Sequence, residues 1–458
     1  ARLITIVVLA RLLVPEYFGL VAIVAAIAEL TSNIIQFGLP LAASQALSLS
    51  RRAKSALFYF NALLGLLFAG VFLVASGAIA VLYEEEKLRE LTQWLALIPL
   101  SVGLSAQFRA QLMSDLRFVS IEVVATVTRL LGMSSAIAFA AFTGSIYSLV
   151  LLVVLPPLIQ LPWYAIIARW RPGLPGAWRE ASRVLVVGSH IFGINLLRNL
   201  SRTAIVPILG VYESPRNVGF YDRAYQLSVV PANTFMGSLQ RIAVPLLAHV
   251  RSDNQRLQRS FEKMQVVATL TLVTGVWILA AVGEPAVVLA LGEEWRPAGT
   301  LLELLSIGTG FRLMAMTEQW LFIGGSATRA GLIFSAWAQP LVILISLGGL
   351  PWGTLGVAAA NAVAWGLFWP LSTIAAARAT GLSAKALLGG PLAVAIGFSA
   401  PVALVAFVPR LFLSEPVVVV LTGTVSALVL AGLLIFLRPS IREAVVTVVS
   451  AALDRKRN

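Results

Sequence analysis

Residues 55–82 read SALFYFNALLGLLFAGVFLVASGAIAVL, a stretch of 28 residues with no acidic, basic or histidine side chain. As an α-helix this stretch rises ~42 Å, which exceeds the ~30 Å hydrocarbon core of a bilayer. A basic cluster at 51–54 precedes it, and an acidic cluster at 84–86 follows it. An apolar run of this length between two charged ends predicts a membrane-spanning helix.

The rest of the chain repeats this pattern. Of its 458 residues, 59% are hydrophobic and 12% are charged, whereas soluble domains have ~45–50% and ~25%. We therefore predict an all-α polytopic membrane protein. Apolar runs between charged or Pro/Gly breaks predict about fourteen helices, at residues up to 14, 17–49, 55–82, 90–113, 118–143, 146–168, 184–211, 218–249, 262–282, 299–324, 331–350, 354–377, 386–409 and 416–437.

The composition excludes several classes of function. The chain has no cysteine, which excludes disulfides, thiolate metal sites and cysteine nucleophiles. Its two histidines, His190 and His249, leave little material for a zinc site or a histidine-based triad. The net charge of +13 does not indicate nucleic-acid binding, because the basic residues punctuate apolar segments instead of covering one soluble face. The loops are too short for a soluble catalytic domain, so we predict no enzyme, no cofactor and no metal site.

The basic residues are divided unevenly between alternate loops. With the start of the chain inside, the inner loops and the C-terminal tail hold about 21 Lys and Arg residues against about six outside, an asymmetry that marks the cytoplasmic side. We therefore predict that both termini are cytoplasmic. The first helix is short and the sequence begins at Ala1, which suggests that its opening residues are missing; a cleaved signal peptide is the alternative.

An internal echo suggests two repeats. Residues 15–19 (PEYFG) lead into the second predicted helix, and residues 215–219 (PRNVG) lead into the eighth. Parallel repeats of this kind are a transporter architecture. We predict an N-lobe at 1–168, a cytoplasmic linker at 169–183, a C-lobe at 184–377, a C-terminal helix pair at 378–437 and a basic tail at 438–458.

Five predicted helices carry a polar stripe at bilayer depth, where an ionised group costs ~2.5–3.5 kcal/mol. In the helix at 184–211, Asn195, Arg198, Asn199 and Arg202 follow the spacing of one helix face. Two guanidinium groups one turn apart repel each other in a low dielectric, which an anion would relieve. Five polar faces predict a shared water-filled interior. The other stripes contribute Glu29, Asn33, Gln36, Glu122, Arg129, Gln226, Asn233, Arg312, Glu318 and Gln319.

The charged members of these stripes have alternative roles. Arg129 either assists in anion binding or forms an ion pair with Glu122 or Glu29. Glu318 is either a proton-coupling carboxylate or the partner of Arg312, and the sequence favours the partner. Glu29 is the other candidate for coupling. The candidate ligands of an anion are Arg198, Arg202 and Arg312, with Arg129 in support.

Two stretches carry a resemblance to a known family: LARLLVPEYFGLVAIVAAIAELTSNIIQFGLPLAASQAL at 9–47 and RNLSRTAIVPILGVYESPRNVGFYDRAYQLSVVP at 198–231. They resemble the Wzx-type flippases, the polysaccharide branch of the multidrug/oligosaccharidyl-lipid/polysaccharide exporter superfamily, and within it the colanic-acid exporter subgroup. The stretch VLALGEEWRPAGTLLELLSIG at 288–308 fits the same pattern. The more specific positions are Gly210, Gly219, Tyr221, Arg223, Ala224, Gly292 and Trp295.

The resemblance implies a MATE/MurJ-like fold, with two six-helix lobes around a cationic lumen and a C-terminal helix pair. It implies a flippase that moves undecaprenyl-diphosphate-linked oligosaccharide repeats from the inner to the outer leaflet of the bacterial cytoplasmic membrane by alternating access. The diphosphate would dock on the four arginines, and a downstream polysaccharide polymerase and membrane lipids would be partners. Relatives commonly have Arg-Asn-Leu-Asp where this chain has RNLS at 198–201, which puts in doubt any ion coupling through that acid.

Two other functions are considered. A cation-coupled MATE-type exporter of small molecules is the main alternative, but an electropositive lumen would repel cationic drugs. A polyprenyl-linked polymerase or ligase would need an extended outer loop with convergent acids, and the outer loops are short. The acidic cluster at 84–86 is more simply a solvated cap.

Overall fold

The computed structural model of the protein describes residues 2–36, 49–182, 185 and 203–437, and this part of the chain is helical and contains no strand. Two π-helical turns, Thr269–Val273 and Ala395–Ser399, each join the α-helix before them to the α-helix after them. The helices are α1 (Arg2–Leu12), α2 (Pro15–Gln36), α3 (Arg51–Leu82), α4 (Lys87–Leu95), α5 (Leu97–Ser114), α6 (Phe118–Thr143), α7 (Tyr147–Ala168), α8 (Ile205–Tyr212), α9 (Pro215–Val250), α10 (Asn254–Ala268), α11 (Thr274–Ala281), α12 (Gly283–Leu291), α13 (Arg296–Gly324), α14 (Thr328–Leu347), α15 (Gly353–Thr380), α16 (Ala384–Val394), α17 (Ala400–Phe407) and α18 (Pro416–Leu437).

The all-α membrane class predicted from the sequence is confirmed. Within the described residues, nine helical stretches are long and apolar enough to cross a bilayer. The spans predicted at 118–143 and 416–437 coincide with α6 and α18, and the span predicted at 90–113 consists of two helices, α4 and α5. The predicted number of fourteen spans is compatible with this arrangement, and the parts of the spans that lie at 37–48 and 186–202 are outside the described residues.

Short-range chemistry explains where several helices begin and end. The Asp253 side chain accepts hydrogen bonds from the backbone N–H groups of Gln255 and Arg256, at 3.0 and 3.1 Å, and so caps the start of α10. Gly144 and Gly381 end α6 and α15 in the left-handed conformation, with φ of 59° and 69°. Glycine adopts this conformation without the steric cost of a Cβ, so it can satisfy the last carbonyls of a helix.

The chain forms two compact units, residues 1–222 and 223–458, and the boundary lies inside α9. In unit 1, α3 and α5 cross where Gly65 faces Gly103, and a Cβ on Gly103 would lie 2.6 Å from the Asn61 carbonyl oxygen. Two bare backbones therefore allow the helices to pack at close range. The predicted lobes, linker and helix pair stay predictions, and the predicted tail at 438–458 lies outside the described residues.

In unit 2, α16 and α17 form one arm of a helix pair and α18 forms the other. This pair packs on α10, α11 and α12. Leu270, Phe398 and Val402 form part of a buried apolar cluster between them. The Thr274 and Ser399 hydroxyl oxygens, at the ends of the two π-helical turns, are 2.8 Å apart and share a hydrogen bond. Both apolar and polar contacts thus join the C-terminal helices to the rest of unit 2.

Candidate substrate and coupling site

Two membrane-length helices differ from the apolar ones. Helices α9 and α13 have 36 and 29 residues, but neither is among the nine apolar stretches found in the described part of the chain. They carry five of the predicted polar residues: Gln226 and Asn233 on α9, and Arg312, Glu318 and Gln319 on α13. Polar side chains are expensive in lipid, so they mark a functional surface when they lie within a membrane helix.

A buried chain of hydroxyl groups holds α9 against α13 within unit 2. Ser306 Oγ donates to Ser228 Oγ at 3.2 Å, and Ser228 Oγ donates to Thr309 Oγ1 at 2.8 Å. Thr309 then donates to the Leu305 carbonyl oxygen at 2.8 Å. Ser228 and Thr309 each both donate and accept, and Ser306 donates, so none of the three buried hydroxyl groups lacks a partner. This contact fixes the helices that carry Gln226 and Arg312.

Arg312 lies near the middle of α13 and is 8% exposed. Its guanidinium carbon is 5.4 Å from the centroid of the Trp365 ring on α15, a cation–π contact. Next to it, Phe311 stacks on Trp369 at 6.4 Å and meets the edge of Trp277 at 5.7 Å. A guanidinium that stacks on a ring by its face directs its N–H groups along its edge, and arginine binds carboxylate or phosphate by pairing two such N–H groups with two oxygens.

Glu318 lies on the same helix and is 1% exposed. Its Oε1 accepts hydrogen bonds from Gln265 Nε2 on α10 and from Thr373 Oγ1 on α15, both at 2.9 Å. The sequence favours Arg312 as the partner of Glu318, but the donors that the structure gives this carboxyl group are neutral side chains. Glu318 and Arg312 therefore belong to two different polar sites on one helix.

The predicted residues of unit 1 that the structure describes lie on α2 and α6. Glu29, predicted as a coupling carboxylate at bilayer depth, is exposed and not buried, and Asn33 is half-buried. Arg129 is exposed on α6, and the ion pairs considered for it, with Glu122 or with Glu29, are absent from the described part of the chain. Arg129 thus keeps the role of a candidate anion ligand.

The structure describes only some of the other predicted residues. Gln36 ends α2, and its side chain is outside the description. Gln226, Asn233 and Gln319 are half-buried in unit 2. The strongest polar stripe of the sequence lies outside the described residues: Asn195, Arg198, Asn199 and Arg202.

The sequence reasoning did not identify the neutral partners at these sites. Gln265 interrupts the apolar run that begins at 264, and Trp365 follows an apolar stretch in α15. Neither residue carries a charge, so a search for ionised groups at bilayer depth passes over both. The one feature of the sequence that pointed to such a partner was the side-chain amide of Gln265, which lies next to a long apolar segment.

Comparisons with known proteins identify relatives of this chain. Residues 8–299 match the model of a family described as polysaccharide biosynthesis protein. The lipopolysaccharide biosynthesis protein WzxC of Escherichia coli (strain K12) is 25% identical over 362 residues, which cover 78% of this chain and 73% of that protein. The succinoglycan biosynthesis transport protein ExoT of Rhizobium meliloti (strain 1021) is 23% identical over 68% of this chain and 63% of its own length.

Solved structures show which fold this is. The lipid II flippase MurJ, in an inward closed conformation, has a TM-score of 0.75 at 12% identity, over 95% of this chain and 97% of that chain. An inward-facing multidrug resistance MATE family transporter of the MOP superfamily has a TM-score of 0.62 at 13% identity, over 83% and 95%. The predicted MATE/MurJ-like fold is confirmed, as is the resemblance to the polysaccharide branch. Because the family model covers more than half of the residues, this chain belongs to the family of polysaccharide biosynthesis proteins.

Proposed function

We propose that this protein is a flippase that moves an undecaprenyl-diphosphate-linked oligosaccharide from the inner to the outer leaflet of the bacterial cytoplasmic membrane. Family membership supports a role in polysaccharide biosynthesis. The names of two relatives refer to biosynthesis of lipopolysaccharide and to transport in succinoglycan biosynthesis. The fold is one that membrane transporters use, and transporters of this kind work by alternating access.

The observation that carries the proposal is Arg312. Its guanidinium lies against Trp365 in the middle of a membrane-length helix, where a charge is costly and where ionisable residues mark the path of a substrate. A lipid-linked diphosphate is an anion that arrives from within the membrane. Arginine pairs with phosphate oxygens through two parallel N–H groups, which gives both strength and orientation.

The remaining predicted residues complete this assignment. Arg198 and Arg202 are proposed to bind the diphosphate together with Arg312, and Arg129 is proposed to assist them. The neutral polar side chains are proposed to line the path of the sugars: Asn33, Gln36, Asn195, Asn199, Gln226, Asn233 and Gln319, with the acidic Glu29. The polyprenyl chain of the substrate stays in lipid, so the protein needs to shield only the head group.

The proposed setting follows from the charge pattern. We place both termini in the cytoplasm because the Lys and Arg residues concentrate in alternate loops. The product would then appear at the outer surface, where a polysaccharide polymerase would use it. Anionic lipids are proposed to contact the inner basic loops.

Liposome flux tests the proposal. The protein is reconstituted with a fluorescent undecaprenyl-diphosphate glycan, and an impermeant quencher reports the head groups that reach the outer surface. We expect wild type to expose inner-leaflet head groups, and the Arg198→Ala/Arg202→Ala double variant to lose this activity while its elution profile and melting temperature stay unchanged. Wild-type flux in the folded double variant would refute the site, and no flux of the native glycan under an imposed ion gradient would refute the function.

A second candidate is a MATE-type exporter of small molecules, which the likeness to a multidrug transporter favours. The two functions differ in the phenotype of a deletion strain. Loss of a surface polysaccharide with unchanged drug sensitivity supports the flippase. Drug hypersensitivity with intact polysaccharide supports the exporter.

A further inference from the structure

The hydrogen bonds around Glu318 leave two acceptor atoms without a donor. Glu318 Oε1 accepts from Gln265 Nε2 and Thr373 Oγ1. Its Oε2 has no hydrogen-bond partner among the described residues, and neither does Oε1 of the same Gln265. Buried acceptors are almost always paired, so two unused oxygens on one bonded pair of side chains call for an explanation.

One additional proton satisfies both atoms. A protonated carboxyl group has an O–H donor, and the amide of Gln265 offers an oxygen acceptor and an N–H donor. An acid and an amide therefore bond through both of their edges. The single hydroxyl hydrogen of Thr373 faces two acceptors, Glu318 Oε1 at 2.9 Å and the Trp369 carbonyl oxygen at 3.0 Å. When Thr373 donates to Trp369, Glu318 Oε1 still accepts from Gln265 Nε2.

The electrostatics also favour the protonated form. An ionised carboxylate buried without a cation is strongly destabilised, and a proton removes the charge. In the described part of the chain Glu318 forms no ion pair. The ion pairs of the neighbouring elements join other groups, such as Arg410 with Glu303. Within unit 2, the charged or titratable side chains on α13 and on the segments packed against it are Arg223, Tyr225, Arg241, His249, Arg251, Arg256, Arg259, Glu262, Lys263, Glu284, Glu293, Glu294, Arg296, Glu303, Arg312, Arg329, Arg378 and Arg410.

A metal ion explains the site less well than a proton. Hard metal ions take six or more oxygen ligands, and the Glu318 and Gln265 side chains offer two unused oxygens. No group of three or more acidic, histidine or cysteine side chains suited to a metal occurs among the described residues. A proton needs no further ligands.

The site is built where its helix is irregular. Gln265 lies one turn before the π-helical turn at Thr269–Val273, and the Thr269 hydroxyl donates to the Gln265 carbonyl oxygen at 2.9 Å. Turns of this kind recur at functional positions, because the wider turn leaves backbone groups able to change partners. Loss of the proton would leave the Glu318 carboxylate facing the side-chain oxygen of Gln265, Oε1, and the two would repel each other. Rotation of the Gln265 side-chain amide or entry of water would relieve the repulsion.

We propose that Glu318, Gln265 and Thr373 form a proton-binding site in unit 2, separate from the arginines that bind the diphosphate, and that its protonation changes during transport. The proton moves between solvent and a Glu318 carboxyl oxygen, with no other bond made or broken. The coupling part of this inference rests on the proposed flippase function. Proton binding itself does not.

Infrared difference spectroscopy tests proton binding without substrate. A protonated buried carboxyl group gives a C=O band that is distinct from that of a carboxylate and shifts in D₂O. We expect purified wild type to show this band at neutral pH, Glu318→Gln to lack it and the matched control Glu262→Gln to keep it. Because the Glu318 variant could fold poorly, Gln265→Met provides a second test: the band should remain but move, since its hydrogen bond is lost. Absence of the band in wild type, or its persistence in Glu318→Gln, overturns the site.

Flux measurements in the same liposomes test coupling. For one proton exchanged per substrate, an acidic exterior should stimulate wild-type flux by up to about tenfold per pH unit. Flux through Glu318→Gln should not respond to the gradient. Wild-type flux that ignores the gradient overturns coupling but leaves the flippase intact. An infrared band without any flux supports the proton site and refutes the proposed function instead.

Discussion

Gly19 of α2 and Gly219 of α9 face each other across a helix crossing inside unit 1. A Cβ on Gly19 would overlap the Pro215 carbonyl oxygen and lie 2.9 Å from the Gly219 nitrogen, and a Cβ on Gly219 would overlap the Pro15 carbonyl oxygen and lie 3.1 Å from the Gly19 nitrogen. The two Pro-x-x-x-Gly sequences therefore meet reciprocally. The internal echo noticed in the sequence is a contact between its two copies.

Substitution at this crossing tests the contact. Gly19→Ala or Gly219→Ala adds a methyl group where backbone atoms already touch, so we expect destabilisation of ~1–3 kcal/mol. The measurement is thermal unfolding of the purified protein in detergent. Gly70→Ala in α3 is the matched control, because a Cβ there meets nothing within 4 Å. That control should be neutral or slightly stabilising, since alanine favours helices. Equal melting temperatures for all three variants would contradict the close crossing.

Arg410 joins the C-terminal helix pair to α12 and α13. It pairs with Glu284 and, at 2.5 Å, with Glu303, and the three side chains are only 21–24% exposed. Arg410→Ala leaves two partly buried carboxylates without this cation, and we expect a loss of ~1–2 kcal/mol, less than for a fully buried pair because solvent screens the site. Thermal unfolding checks this value. Adding Glu303→Gln to the alanine variant should restore part of the stability, and a further loss in the double variant would argue against the ion pair.

Arg312 is expected to contribute to diphosphate binding through both its charge and its planar shape. Arg312→Ala should weaken the binding of undecaprenyl diphosphate roughly 10–100-fold, because a charge-assisted hydrogen bond is worth ~1.5–3 kcal/mol. Arg312→Lys should fall between wild type and alanine, because lysine keeps the charge but not the two-pronged pairing. Thermophoresis with labelled protein measures the affinities. The control is Arg329→Ala, an exposed arginine in the first turn of α14, and an equal loss there would indicate general charge attraction.

The segment at 169–182 is held at the start of α3. Glu180 accepts hydrogen bonds from the Ser50 N–H at 2.7 Å and from the Ser50 hydroxyl at 2.6 Å, and the Gly173 N–H donates to Ser55 Oγ at 3.0 Å. Glu180 lies beside the positive end of the helix dipole, which favours a negative charge.

Glu180→Ala should therefore increase hydrogen exchange at residues 171–182 and cost ~0.5–2 kcal/mol as a lost helix cap. Mass spectrometry of exchange in detergent reports the local change. The control variant is Ser182→Ala, whose hydroxyl bonds only within its own turn, to the Arg179 carbonyl oxygen. Unchanged exchange in the Glu180 variant would show that other contacts hold this segment.

The amino-acid sequence alone predicts that this protein lies in a membrane, and it predicts the position of most helices along the chain. Apolar runs of bilayer length leave a hydrogen-bonded helix as the stable backbone, since lipid offers no partner for N–H and C=O groups. Family membership was also accessible, because the motifs at 9–47 and 198–231 are contiguous in the chain. The spacing of polar residues also predicted polar faces on α9 and α13, and these two long helices are not among the apolar stretches of the described residues.

The contacts between side chains of different helices are seen in the three-dimensional structure and could not be predicted from the sequence. Helical periodicity places Arg312 and Glu318 on α13 but does not say which helix each one faces, and the expected pair between them is replaced by Trp365 for one and by Gln265 and Thr373 for the other. These partners are uncharged, and burying them in the membrane costs little free energy. The high cost of burying a charge therefore does not point to them in the sequence. Contacts between helices depend on shape and packing over long sequence separations, which a one-dimensional pattern does not encode.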